Sequence, residues 1–190
     1  PHFKMLWNED IPVINHKDEA NKTTTVEIIA GKINTINALD PTPDSWAANP
    51  NNSVGVYTVK MEAGAQWTLP KTSSEANRSV FFYKGSTIKI EGQTIAANHF
   101  IELEAGENIA LQNGNTEAYF LILEGNPIGE TVAQHGPFVM NTQQEIREAM
   151  SDYGKTQFGG WPWGEKEVVH SREKGRFASH SNGKEEIKNS

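Results

Sequence analysis

The sequence predicts an all-β domain, an antiparallel sandwich or barrel, with one short C-terminal helix and an extended tail. Three observations predict it: a hydrophobic period of two between residues 24 and 124, many short strand-like runs, and turn residues between them. Val54, Val56 and Thr58 alternate with Gly55, Tyr57 and Val59, and Ile88 and Ile90 flank Lys89 before Gly92. The runs VEIIAGKI, VGVYTVKM, SVFFYKG, STIKIEG, HFIELEAG, NIALQNG and AYFLILEG are separated by Gly, Asn or Glu-Ala-Gly, which suits hairpins. Seven or more strands of this length point to two packed sheets or a closed barrel.

Around this core, residues 1–22 read as an N-terminal segment or the end of an interdomain linker, and 23–140 as the barrel. Residues 37–53 break the alternation with Pro41, Pro43 and Pro50 among Asn and Asp, which predicts a long ordered loop with Trp46 pinning it. A helix is predicted from Thr142, because Thr142 and Glu145 form a capping box; Ile146, Ala149, Met150 and Tyr153 share a face before Gly154. Residues 141–170 therefore read as a capping helix with an aromatic-rich extension, and 171–190 as a polar tail that is mobile without a partner surface.

The chain has 190 residues, 24 acidic and 17 basic, for a formal charge of −7. That balance repels phosphate backbones and argues against direct nucleic-acid binding. Cysteine is absent, which removes disulfides, thiolate ligands and cysteine nucleophiles. No apolar run approaches the about 20 residues needed to span a bilayer, so a soluble, cytoplasmic chain without membrane contact is expected. The start at Pro1, with Phe3, Met5, Leu6 and Trp7 close behind, predicts a fragment of a longer protein.

Chemistry is sought where a β-barrel would carry it. A barrel metal centre needs two imidazoles at i and i+2, because alternate strand residues point into one lumen, plus a carboxylate and a third imidazole from another strand. After the Glu62-Ala63-Gly64 turn the candidate positions hold Trp67 and Leu69; after Gly106 the sequence offers Ile109, Leu111, Gln112 and Asn113. The six histidines (His2, His16, His99, His135, His170 and His180) never form HxH or HExxH. The expectation is no metal ligand, cofactor-binding or catalytic residue within this chain.

His99, beside Glu102 on its strand, reads as a solvated or hydrogen-bonded side chain rather than a ligand. His135, before Gly136-Pro137, reads as a buried anchor of that turn rather than a general base, since no nucleophile accompanies it. Glu102, Glu104 and Glu107 cluster at a hairpin; alternation puts Glu102 and Glu104 opposite Ile101 and Leu103, which reads as a solvated face rather than an acid–base pair. No G-x-S-x-G, G-x-x-x-x-G-K-[ST] or G-x-G-x-x-G element is present, so hydrolase and nucleotide chemistry lack support. Phe158, Trp161 and Trp163 in FGGWPWG form the candidate interface, either packing on this chain or docking elsewhere.

The stretch QHGPFVMNTQQEI at 134–146, with GNPIGETVAQ before it, resembles the C-terminal part of the pirin family. The resemblance extends back through AYFLILEG, EAGAQWTLP, VFFYKG and IPVI, more weakly over 37–53, and leaves the last twenty or so residues uncovered. Pirins are bicupins whose metal-binding histidines and glutamate belong to the N-terminal barrel. The resemblance therefore implies a cupin fold, a double-stranded β-helix, that corresponds to the second barrel alone, with no family ligand carried onto any residue here.

It further implies that iron or another divalent metal sits in the N-terminal barrel of the whole protein. Quercetin 2,3-dioxygenase activity or transcriptional co-regulation through protein contacts would belong to that whole. The expected role of this chain is structural and interactive beside that barrel, its first partner; alternatives are an inactive half of a dioxygenase and a small apolar ligand held within the barrel. A homodimer through the surface left by a missing neighbour is also expected.

Overall fold

The structure is a computed structural model and describes residues 3–161, 163–164, 169–180 and 182–188. Twelve strands build the larger of its two compact units, residues 4–128. They are β1 (Val13–Lys17), β2 (Thr23–Ala30), β3 (Lys32–Ile33), β4 (Ile36–Asn37), β5 (Gly55–Met61), β6 (Gln66–Leu69), β7 (Asn77–Lys84), β8 (Thr87–Ile90), β9 (Gln93–Ala96), β10 (His99–Glu104), β11 (Ile109–Asn113) and β12 (Ala118–Gly125). A six-stranded sheet runs β1-β2-β5-β12-β7-β10 and a four-stranded sheet β6-β11-β8-β9, antiparallel throughout. All seven runs identified by alternation are strands.

Alternation decides which side chains meet between the sheets. Tyr57, Val59 and Met61 of β5, Val80 and Phe82 of β7, and Phe120 and Ile122 of β12 are buried from one sheet. Trp67, Leu69, Ile88, Ile90, Ile109 and Leu111 are buried from the other, and all belong to one apolar cluster. Phe82 and Phe120 stack with centroids 4.7 Å apart. Each such side chain removed from water contributes about 1.5–3 kcal/mol. An apolar guest within the barrel is one of the alternative readings of the sequence; these side chains lie in the interior it would enter.

The segment read as linker end reaches into the sheet. Val13–Lys17 pairs with Glu27–Thr23, and Asp18 joins the turn to the second sheet: Lys22 N donates to Oδ1 and Gln66 N to Oδ2, each at 2.8 Å. The 37–53 loop is ordered by Asn126, whose Nδ2 donates to Asn51 O and whose backbone N donates to Asn52 O. Trp46 contributes a 3.3 Å hydrogen bond from Nε1 to Asn126 O, but its ring is 42% exposed, so the amide network does most of the pinning.

The smaller unit spans residues 129–190 together with Phe3. It holds β13 (Ala133–His135), β14 (Phe138–Met140), α1 (Gln143–Thr156), β15 (Arg176–Ser179) and β16 (Glu185–Lys188). In this unit β13 and β14 pair with each other and pack on α1. The capping box is formed: Thr142 Oγ1 accepts from Glu145 N, and Glu145 Oε2 accepts from Thr142 N. The helix continues past Gly154 to Thr156, where Gln157 takes the left-handed cap at φ 51°. Gly154 is exposed, and glycine costs an exposed helix only about 1 kcal/mol.

The tail read as mobile carries the β15–β16 hairpin, in which Lys174 pairs with Glu185 at 2.6 Å and Lys174 Nζ lies 3.9 Å from the Phe177 ring centroid. No helix among the described residues is long and apolar enough to cross a membrane.

Candidate functional site

The positions at which a barrel metal centre would be written stand opposite one another in the β6–β11 ladder, Trp67 against Leu111 and Leu69 against Ile109. All four are buried in the apolar cluster. His99, at the start of β10, is exposed, and its Nδ1 lies 3.0 Å from Ala96 O and 3.2 Å from Ala97 O, so the ring is held by its own turn. Glu102 and Glu104 are exposed and share the outer row with Ser79 and Asn77. Glu107 is exposed, and its carbonyl oxygen accepts from Arg78 Nη1 at 3.3 Å.

His135 departs from the expectation of a buried anchor. It is exposed at the end of β13, where the chain turns into β14, and the Gly136-Pro137 turn is held by the β13–β14 ladder. His2 and five residues of the extension and the segment after it, Pro162 and 165–168, lie outside the described residues.

The aromatic extension divides in two. Phe158 packs edge-on against Tyr153 at 5.2 Å and Phe138 at 6.3 Å, and Phe138 meets Tyr153 at 5.9 Å. Trp161 and Trp163 pack on each other, centroids 4.6 Å apart, and line a hollow of ≈450 Å³ with His170, Phe177 and His180. Phe158 and Trp161 stay about half exposed, at 47% and 52%.

A polar group that sequence reasoning missed lies at the end of the sandwich. Arg78 is buried in the core, its Nε 2.8 Å from Glu124 Oε2, with Nη2 donating to Pro70 O at 2.7 Å and Nη1 to Glu107 O. The Tyr57 hydroxyl lies 2.9 Å from Glu124 Oε1 and 3.0 Å from Lys32 O, so its one proton is shared between two acceptors. Burial, and then the adjacent Glu124 charge, push the Tyr57 phenol far above its ordinary value, so it stays protonated. A Cβ on Gly55 would lie 2.3 Å from the Tyr57 oxygen and 2.6 Å from Glu124 Cγ, which is why glycine stands there.

Tyr57, Glu124 and Lys32 of this group line a cavity of ≈630 Å³, partly open to solvent, walled by the 37–53 loop and by Leu69–Ser73, and form its floor. The signal that could have found it is weak: Glu124 ends an otherwise apolar strand run, and Arg78 sits on the inward phase of β7.

Comparison with known proteins gives the geometry its context. The Pirin C-terminal cupin domain family matches residues 56–159, more than half of the chain. Human Pirin is 37% identical over 165 residues, which cover 84% of this chain and 51% of that protein. A Vibrio cholerae protein, whose name provisionally makes it a quercetin 2,3-dioxygenase, is 32% identical over 119 residues, 60% of this chain and 41% of its own. A crystal structure of quercetin 2,3-dioxygenase from Acinetobacter baumannii superposes with a TM-score of 0.64 at 24% identity, over 82% of this chain and 50% of that one, a likeness of fold. The chain spans about half the length of the curated relatives it matches. It belongs to the pirin family, as a pirin C-terminal cupin domain.

Proposed function

We propose that this cupin domain is non-catalytic in itself and acts as a structural and interaction partner of a second, metal-bearing cupin in the whole protein. The observation that carries this reading is the β6–β11 ladder, where Trp67, Leu69, Ile109 and Leu111 fill the interior positions a barrel metal centre would use. Four large apolar side chains there stabilise the sandwich and leave no donor atoms at those positions. Iron or another divalent metal is assigned to the other barrel, and Phe158, Trp161 and Trp163 are offered as docking surface for it or for further protein partners.

Metal analysis of the chain after chelation and desalting tests the proposal: no stoichiometric iron, zinc, copper or nickel is expected, and one tightly held equivalent overturns it.

A second reading makes the chain half of a metal-dependent dioxygenase that is inactive without the other barrel. The name of the Vibrio cholerae relative favours it. Flavonol consumption, assayed with this chain alone and with both barrels in one polypeptide, separates the two: activity from the pair and none from the chain supports the second reading.

A further inference from the structure

The cavity at the end of the sandwich is built by one set of strand ends. The β2–β3 turn, the start of β5, the end of β6 and the end of β12 converge there, and the 37–53 loop folds over them. At ≈630 Å³ it falls within the roughly 300–1,000 Å³ of small-molecule sites and would hold roughly twenty waters at about 30 Å³ each. Its position is held by backbone geometry: Gly31, at φ 79°, lies so close to Val54 that a Cβ would stand 2.1 Å from the Val54 carbonyl oxygen, and its own carbonyl accepts from Ala38 N at 2.8 Å.

The floor determines what chemistry fits. The Tyr57 proton is already committed, shared by two acceptors, and Arg78, outside the lining, pairs with Glu124. What remains is acceptor capacity, on the Glu124 carboxylate, the Tyr57 oxygen and the Lys32 carbonyl. A ligand must therefore present donors to the floor. An ammonium group is disfavoured there by Arg78, whose charge already balances Glu124 at 2.8 Å, and a bare carboxylate is disfavoured by the same acceptors. A neutral hydroxyl meets the requirement.

The rim has the opposite character. Lys32 and Lys71 line the cavity with exposed side chains and form no ion pair among the described residues, against one lining carboxylate besides Glu124, that of Asp40. An anionic group at the mouth would be met by two cations without burial of any charge.

We propose that this cavity binds a small hydroxylated organic acid, its hydroxyls donating to the Tyr57–Glu124 floor and its carboxylate facing Lys32 and Lys71 at the rim. The site is independent of metal chemistry and of the aromatic extension.

The test is a titration of the ¹⁵N-labelled full chain, followed by amide shifts, with D-gluconate, quinate and shikimate. D-glucose serves as the neutral comparator and cyclohexanecarboxylate as the acid without hydroxyls. At least one hydroxylated acid is expected to saturate shifts at Gly31, Ala38, Lys71 and Thr72, and to bind roughly five-fold or more tightly than either comparator. In the double variant Lys32→Ala/Lys71→Ala, at two exposed positions, the advantage over glucose should vanish. Tyr57→Phe, checked for folding by thermal melting, should weaken the acid; if that variant does not fold, quinate against cyclohexanecarboxylate in the unaltered chain reads the floor. No saturable shifts from any of the three acids, shifts confined to lysines elsewhere, or equal affinity for acid and comparators overturns the proposal.

Discussion

Trp67 and Leu111 stand directly opposite each other in the β6–β11 ladder, both turned inward and both buried. A cross-strand pair of this kind couples strand register to the core, since a slip of β6 by one residue against β11 would turn Trp67 to the outer face. At these positions the interior of this cupin is thus filled by packing.

If these residues are packing elements, truncation should be costly and should not depend on added metal. Leu69→Ala, at a residue 1% exposed, is expected to lower stability by about 2–5 kcal/mol through lost transfer energy and an unfilled cavity. Urea denaturation with and without divalent metal measures it; a loss below about 1 kcal/mol would show that the site collapses or was never tightly packed.

The Arg78–Glu124 pair gives a different pattern. Arg78→Met leaves the Glu124 carboxylate, whose side chain is 5% exposed, without its cation, and should cost about 3–5 kcal/mol. Replacing both, Arg78→Met with Glu124→Leu, removes the uncompensated charge and should recover part of that loss. Denaturation midpoints of the single and double variants decide; a double variant as unstable as the sum of the two single variants would mean that the pair contributes by packing alone.

The strands were legible because burial imposes a period of two on side chains, and Tyr57, Val59 and Met61 obey it without exception. The capping box was legible because Thr142 and Glu145 satisfy each other locally. Long-range polar chemistry was not. Arg78 and Glu124 are 46 residues apart, and either alone looks like an ordinary surface charge; only the antiparallel β7–β12 register, which places Glu124 beside Arg78, brings them together. The tail hairpin escaped for a related reason, since its β15–β16 pairing depends on polar contacts such as Lys174 with Glu185 rather than on an apolar period.

Asp18 supplies a pH prediction. Two backbone donors, Lys22 N and then Gln66 N, hold its carboxylate below its ordinary value of 3.8. Because the folded-state value is the depressed one, the stabilisation is fully present above 3.8 and is lost as pH falls through the lower folded value. Asp18→Ala should therefore destabilise the chain at neutral pH, and its deficit relative to the unaltered protein should shrink as pH drops below 3.8. Chemical denaturation of both proteins from pH 7 downward reads this, and a constant deficit across the range would remove Asp18 ionisation as its cause.

The cap of α1 offers a test confined to the smaller unit. Thr142 Oγ1 accepts from Glu145 N at 3.2 Å, while Thr142 N donates to Glu145 Oε2 at 2.8 Å. Thr142→Ala removes the first contact and loosens the second, which should cost the helix about 0.5–2 kcal/mol. Ile146 is the buried residue of this helix, so fraying of the first turn should reach it first. Amide hydrogen exchange should accelerate from Glu145 through Arg147, while the β5 and β12 amides keep their protection. Equal acceleration in those strands would show that the first turn of α1 and the sandwich unfold as one cooperative unit.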